Sequence, residues 1–288
     1  MSSVVRFTNC YLALPDGTVS SLSAAAAGSA RMVLGSSQAA EADLYVNTST
    51  GLILSAQPNL IDSSTRPQHV IDLGGDLLAP GLIDTQINGA YGVDFSELNA
   101  EAADGGEAEY VQGLEEVARR IVETGCTSFL PTILTQRENL YTKVRSRTKG
   151  WPEQQLLRLL IPRSTPGSAH ALGYHAEGPF LHPSRRGIHA EALLMDAPGD
   201  TPVRILERVY GKGGLDQPGV KLITLAPDVE GIMQCIPSLA SRGVTISIGH
   251  RWVYRSCSDK HADGSDASLE IATKAVEKGA RMITHLFK

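Results

Sequence analysis

Cysteine is scarce in this chain. Its four residues, Cys10, Cys126, Cys235 and Cys257, stand far apart among 288 positions and form no Cys-x-x-Cys pair. That spacing argues against a disulfide framework and points to a reducing compartment. Long apolar runs are missing as well: no stretch approaches the roughly 18 consecutive apolar residues of a membrane span. The N-terminal Met-Ser-Ser-Val-Val-Arg-Phe lacks the apolar segment of a signal peptide. A cytosolic protein with no membrane partner is therefore expected. Basic excess is absent too. Lys and Arg number 26 against 31 Asp and Glu, for a net charge of −5, so no nucleic-acid partner is expected. The remainder, 42% hydrophobic and 20% charged, is ordinary globular material, long enough for one large domain and a small one.

Residues 1–79 read as β-rich. Short apolar runs such as Val4–Phe7 and Val70–Leu73 are separated by turn signals such as Pro15-Asp16-Gly17. Ser20–Ser37 is rich in Ala and Ser and carries no clear pattern. From Leu77 onward, apolar strands alternate with amphipathic helices. Strands are expected at Leu77–Asp84, Thr127–Thr132, Ala171–His175, Val220–Leu225, Val244–Ile248 and Arg281–Thr284. Helices are expected at Glu109–Gly125, Gly231–Arg242 and Leu269–Lys278, each closed by a glycine. Such alternation implies a parallel sheet covered on both faces. A (β/α)₈ barrel needs eight units, and six are visible before Lys288. The expectation is a shortened chain or an incomplete gene product.

Three strands end on polar groups suited to metal binding. Gly173-Tyr174-His175-Ala176-Glu177-Gly178-Pro179-Phe180 runs into Glu177, Thr245-Ile246-Ser247-Ile248-Gly249-His250 into His250, and Arg281-Met282-Ile283-Thr284-His285 into His285. A carboxylate closing a core strand is costly unless paired. In an α/β barrel the strand C-termini face the active site. One oxygen and two nitrogen ligands suit Zn²⁺ with a position left for water, and so suit amide or ester hydrolysis. Each residue also has a plainer reading: a strand-end histidine can be structural, and the carboxylate of a Glu-Gly-Pro turn can cap backbone amides. His175, two residues before Glu177, faces the same side and reads either as a supporting partner or as core.

The motifs resemble those of the N-acetylglucosamine-6-phosphate deacetylases of the amidohydrolase superfamily. The resemblance is carried, in order, by Leu78-Ala79-Pro80-Gly81-Leu82-Ile83-Asp84-Thr85-Gln86-Ile87-Asn88-Gly89, Gly92-Val93-Asp94-Phe95, His175-Ala176-Glu177-Gly178-Pro179-Phe180, Arg186-Gly187-Ile188-His189, Thr224-Leu225-Ala226-Pro227-Asp228, Ser247-Ile248-Gly249-His250 and Thr284-His285-Leu286-Phe287. It implies an amidohydrolase-type TIM barrel over 80–288, with six of eight strands present, and a small N-terminal β-sandwich domain over 1–79. It implies metal-dependent hydrolysis of N-acetyl-D-glucosamine 6-phosphate to D-glucosamine 6-phosphate and acetate, with a homodimer in the full-length form.

By the same resemblance Glu177, His250 and His285 hold the metal, and His189 acts as the substrate-binding and catalytic histidine. Many amidohydrolases carry His-x-His after the first strand for a second metal. Gln86-Ile87-Asn88 stands there instead, so one divalent ion, Zn²⁺, is expected. Three departures bear on this. Lys288 follows Leu286-Phe287 where the family has Asn-Ala. The family's catalytic Asp and its partner-donated phosphate-binding Arg have no counterpart here. Arg251-Trp252 follows His250, opening an apparent insertion through Asp266. The chain is accordingly expected to be nearly inactive alone. Two alternatives remain: a non-catalytic form that binds sugar phosphate or pairs with another subunit, and a deacetylase for another N-acylated sugar.

Overall fold

The computed structural model describes residues 4–13, 19–20, 42–54, 67–97, 106–137, 141, 165–211, 215, 219–250 and 267–285. Two compact units divide the chain, Met1–Pro80 and Gly81–Lys288.

In the first unit the described residues form one sheet. Its strands are β1 (Val4–Ala13), β2 (Val19–Ser20), β3 (Ala42–Asn47), β4 (Leu52–Leu54), β5 (His69–Asp72) and β6 (Leu77–Leu78). The order is β2-β1-β3-β4, with β5 and β6 running parallel to β1. The β1–β3 register shifts between Phe7 and Cys10, where Asn9 adopts a φ of 53°. A short polar side chain tolerates that left-handed backbone, and the bulge bends the strand. Cys10 and Leu12 form a small core with Phe7, Leu44, Leu73 and Leu78.

The second unit is built on β7 (Leu82–Ile87), β10 (Cys126–Ile133), β11 (His170–Ala171), β12 (Tyr174–Glu177), β13 (Val220–Leu225), β14 (Thr245–Ile248) and β15 (Met282–Ile283). A small hairpin, β8 (Gly89–Ala90) with β9 (Val93–Asp94), follows β7. β11 and β12 pair with successive parts of β10, so they are two pieces of one stave. The staves run in sequence order, β7 beside β10, then β12, β13, β14 and β15, with every pairing parallel. Parallel neighbours need long crossovers, and helices supply them. α1 (Glu107–Ile121) precedes β10, α2 (Pro202–Tyr210) precedes β13, α3 (Ile232–Ser241) precedes β14 and α4 (Ala267–Glu277) precedes β15.

The apolar face of α1, made by Tyr110, Leu114, Val117, Ala118 and Ile121, is buried at spacings of three and four. It joins Leu206, Val209, Ile232, Ile236 and Leu239 from α2 and α3 in one core with Phe129, Ala176, Ile223, Leu225, Ile246 and Ile248 from the strands. Strand alternation then turns Leu222 and Thr224 to the opposite face of the sheet. A one-turn 3₁₀ extension, Val122–Thr124, ends α1 at Gly125, whose φ is 82°. This is the glycine stop that the sequence indicates.

Three expectations need correction. Leu77–Asp84 is not one strand: β6 pairs with β1 and β7 with β10, because Pro80 has no N–H to continue a ladder. The sixth strand shrinks from Arg281–Thr284 to Met282–Ile283. The region before β13 hides α2, which starts at Pro202, a residue pre-set for the first helical position. The expectations for Ser20–Ser37, for the insertion through Asp266 and for Leu286-Phe287 lie largely or wholly outside the described residues. Among the described residues, no helix is long and apolar enough to cross a membrane.

Candidate metal centre

Glu177 is the last residue of β12, and His250 and His285 each lie two residues beyond the ends of β14 and β15. Both histidines have left-handed backbones, with φ of 48° and 60°. Such conformations cost about 1–3 kcal/mol each and persist only where the surroundings enforce them. Here the Gly249 amide donates to the Leu225 carbonyl (3.1 Å), the Thr284 amide to the Ile248 carbonyl (3.0 Å), and the His182 amide to the His250 carbonyl (2.9 Å).

The three side chains meet closely. Oε1 of Glu177 lies 3.1 Å from Nε2 of His250 and 3.3 Å from Nε2 of His285. The two Nε2 atoms lie 3.1 Å apart. Among the described residues this is the single group of three or more His, Cys, Asp or Glu side chains placed to hold an ion. Nδ1 of His250 is 2.9 Å from the carbonyl oxygen of Arg185. A carbonyl only accepts, so Nδ1 carries the proton and a neutral His250 presents the Nε2 lone pair inward. That lone pair and the Glu177 carboxylate oxygen, 3.1 Å apart, repel unless a cation sits between them. In tetrahedral zinc coordination, N and O ligands about 2.0–2.1 Å from the metal stand roughly 3.3 Å apart. The donor set and its spacing therefore fit such an ion.

Glu177 is only 2% exposed. Burial pushes its carboxyl up, but contact with His250 and the fields of His189, His250 and His175 outweigh that and bring it down to about 2. Nε2 of Gln86 donates to the same Oε1 at 3.0 Å. Gln86 therefore steadies the carboxylate.

His189 is 3% exposed. Its ring stands edge-on to that of His250, centroids 4.9 Å apart. Its Nδ1 is 3.3 Å from the Thr135 amide and 2.8 Å from Thr135 Oγ1. An amide only donates, so Nδ1 accepts, and the proton of the neutral ring sits on Nε2. Burial, opposed by Glu177 and helped by His250 and His285, lowers its pKa to about 4. His189 is thus a neutral donor beside the triangle. Gly178 makes room for this arrangement: with φ at 83°, a Cβ there would lie 2.2 Å from Thr135 Oγ1.

His175, equally buried, bonds Thr224 rather than Glu177, with Nε2 2.8 Å from Thr224 Oγ1. Burial lowers its pKa to about 4, against the pull of Glu177. Of the residues the sequence singles out, the structure brings Glu177, His250 and His285 within 3.3 Å of one another and sets the His189 ring edge-on to that of His250, leaving their roles as proposals. Sequence reasoning missed the Gln86 hydrogen bond, the Arg185 carbonyl and Thr135, which depend on pairing between distant segments.

No family model matches the chain. Similar proteins exist nonetheless. Over 238 residues, 82% of this chain and 49% of its relative, it is 35% identical to the N-acetylglucosamine-6-phosphate deacetylase of Caenorhabditis elegans. The human enzyme of that name is 35% identical over 245 residues, 85% of this chain and 50% of its own length. Over most of its own length the chain is similar to N-acetylglucosamine-6-phosphate deacetylases. It spans about half the length of the curated deacetylases it matches. The crystal structure of the Pasteurella multocida deacetylase matches 99% of this chain and 57% of its own with a TM-score of 0.53 at 23% identity. A Mycobacterium smegmatis deacetylase, solved with N-acetyl-D-glucosamine-6-phosphate, matches 100% of this chain and 56% of its own with a TM-score of 0.52 at 20% identity. At those identities the deacetylase structures support the fold.

Proposed function

We propose that the protein hydrolyses the acetamide of N-acetyl-D-glucosamine 6-phosphate, giving D-glucosamine 6-phosphate and acetate. The observation that carries this reading is the convergence of Glu177, His250 and His285 at the C-terminal ends of β12, β14 and β15. These residues would hold one divalent ion, Zn²⁺ by the chemistry of the donors. When bound, the ion supplies Lewis acidity and a water of lowered pKa.

The chain's own residues do the rest. Gln86 fixes the Glu177 carboxylate by donating to Oε1. The Arg185 carbonyl holds His250 in the tautomer that offers Nε2. His189, with Nδ1 occupied by Thr135, offers its Nε2–H to the oxygen that gains charge as the amide carbon becomes tetrahedral. Its neutrality lets it donate without carrying charge into the site. The parallel staves, in sequence order, support an eight-stranded barrel over 80–288. The N-terminal sheet supports one face of a small sandwich over 1–79. The resemblance extends the reading to a cytoplasmic homodimer.

Elemental analysis and acetate release test the proposal together. One zinc per chain is expected, lost in Glu177→Ala, and the acetate released, slight for the chain alone as its sequence leads one to expect, should require the metal. A parent that binds no zinc, or measurable release equal in the parent, the chelated parent and Glu177→Ala, would refute it.

A further inference from the structure

Below the three candidate ligands lies a buried polar layer to which the reaction assigns no part. Ser247 Oγ is 2.7 Å from Thr284 Oγ1, Thr284 Oγ1 is 2.8 Å from Thr224 Oγ1, and Thr224 Oγ1 is 2.8 Å from His175 Nε2. On the far side His175 Nδ1 is 3.3 Å from Thr132 Oγ1. All five side chains are buried. They come from β14, the residue just past β15, β13, β12 and β10, so one chain of hydrogen bonds ties five neighbouring strands.

One direction satisfies every hydroxyl. With the Thr132 Oγ1 proton on the Leu130 carbonyl (3.3 Å), Thr132 turns lone pairs to His175 Nδ1, also at 3.3 Å, and Nδ1 holds the ring proton. The neutral ring then accepts at Nε2 from Thr224, Thr224 accepts from Thr284, and Thr284 from Ser247. No hydroxyl proton in the run is left over. A satisfied buried network of this kind resists displacement.

The network also touches both histidine ligands through the backbone. Thr284 immediately precedes His285. Thr224 and Thr284 reach each other across the end of β14 at Gly249, which immediately precedes His250. A Cβ on Gly249 would lie 2.9 Å from Thr284 Cβ and 3.0 Å from Thr224 Cγ2. The missing side chain is the space through which the two threonines meet. We propose that Thr284, anchored by Ser247, Thr224 and His175, is a positioning residue that aims His285 and His250 at Glu177 and so sets the metal affinity of the site. This rests on the metal centre proposed above.

The test uses the full chain and Zn²⁺ in competition with a chromophoric chelator, alongside thermal melting of the chelated protein. Thr284→Val keeps the shape and removes the hydroxyl; Thr284→Ser keeps the hydroxyl. Zinc affinity should fall about 10-fold or more in Thr284→Val, the range found when groups supporting metal ligands are removed. It should return to within about threefold of the parent in Thr284→Ser. A purely structural threonine would shift the melting of the chelated protein without this pattern of loss and rescue. If Thr284→Val does not fold, Thr224→Val and Thr224→Ser give the same contrast one link further away. A parent that binds zinc and a valine variant that binds it equally overturn this inference and leave the metal centre standing. A parent that binds no zinc overturns both.

Discussion

Replacing Gly249 with alanine places a methyl group where two threonines already meet. Carbon atoms in good contact stand about 3.5–4.0 Å apart, and the added carbon would begin 2.9 Å from Thr284 Cβ, 3.0 Å from Thr224 Cγ2 and 3.3 Å from the Thr284 carbonyl oxygen. Relief therefore needs a displacement of about 0.5–1 Å. No flexible end absorbs it, since the nearest atom is the Cβ of a β-branched residue tied on both sides. Overpacking of this kind costs about 1–3 kcal/mol. For a domain of this size each kcal/mol moves the melting temperature by about 2–4 °C. The displacement also exceeds the ~0.2 Å tolerance of a metal–ligand distance, and it acts on the neighbours of His250 and His285 together. Gly249→Ala should thus lower the melting temperature of the chelated protein by several degrees and weaken zinc binding by about 10-fold or more. Circular dichroism melting and chelator competition measure the two effects. A variant that melts and binds zinc like the parent would show that Thr224 and Thr284 do not crowd Gly249, and the packing argument would fail.

Other consequences are simpler to state. Leu206 is fully buried on the inner face of α2, so Leu206→Ala should cost about 2–5 kcal/mol in urea unfolding; a loss under 1 kcal/mol would show that the helix packs loosely. Burial pushes the Cys235 thiol up to about 11, leaving little thiolate at pH 8. Iodoacetamide should spare it in the folded protein and label it in urea, as read by peptide mass spectrometry. His175 has its pKa lowered from 6.5 to about 4 by burial, so the folded state binds fewer protons than the unfolded one between those values. Stability of the chelated protein must then fall as pH drops through that window, by up to about 3 kcal/mol in total. Urea midpoints from pH 7 to 4 measure it, and His175→Asn should flatten the slope; an unchanged slope would place the titrating group elsewhere.

How much of this was legible depended on whether the information was local. Val220–Leu225 was read with its observed bounds because a short run rich in Val, Ile and Leu, bounded by Pro218-Gly219 and Ala226-Pro227, is too short for a helix and fits a strand. Leu77–Asp84 misled because apolar residues flank Pro80-Gly81 so closely that a strand break looks like a strand. α2 was missed because Gly199, Pro202 and Gly211 punctuate the segment like a loop, although the spacing of Leu206, Val209 and Tyr210 carries a helical face. Within the site, Glu177, His250 and His285 stood out as polar residues closing apolar runs. Thr224, Thr284 and Ser247 did not: Thr is an ordinary strand former, and its role here depends on the register of β13, β14 and β15. Gln86 was noticed for what it replaces. Its bond to Glu177 spans 91 positions, a relation no local pattern carries.

The buried layer itself separates stability from positioning as reasons for its presence. Hydrogen-bonded polar groups in a core contribute little net stability, because they exchange protein partners for water. Replacing all partners of a buried polar network with apolar groups of similar shape is often neutral or favourable. If the run from Ser247 to His175 existed for stability, combining Ser247→Ala, Thr284→Val, Thr224→Val and His175→Leu should destabilise the fold while the folded protein still binds zinc as before. If it exists to aim the ligands, the combined variant should keep or gain stability and still bind zinc poorly. His285 would then lose the anchoring that holds its backbone at a φ of 60°, a conformation an unconstrained histidine leaves readily. The geometry favours the second outcome, since the network meets the backbone at the two residues that precede the histidine ligands, where a small displacement most changes where the imidazoles point.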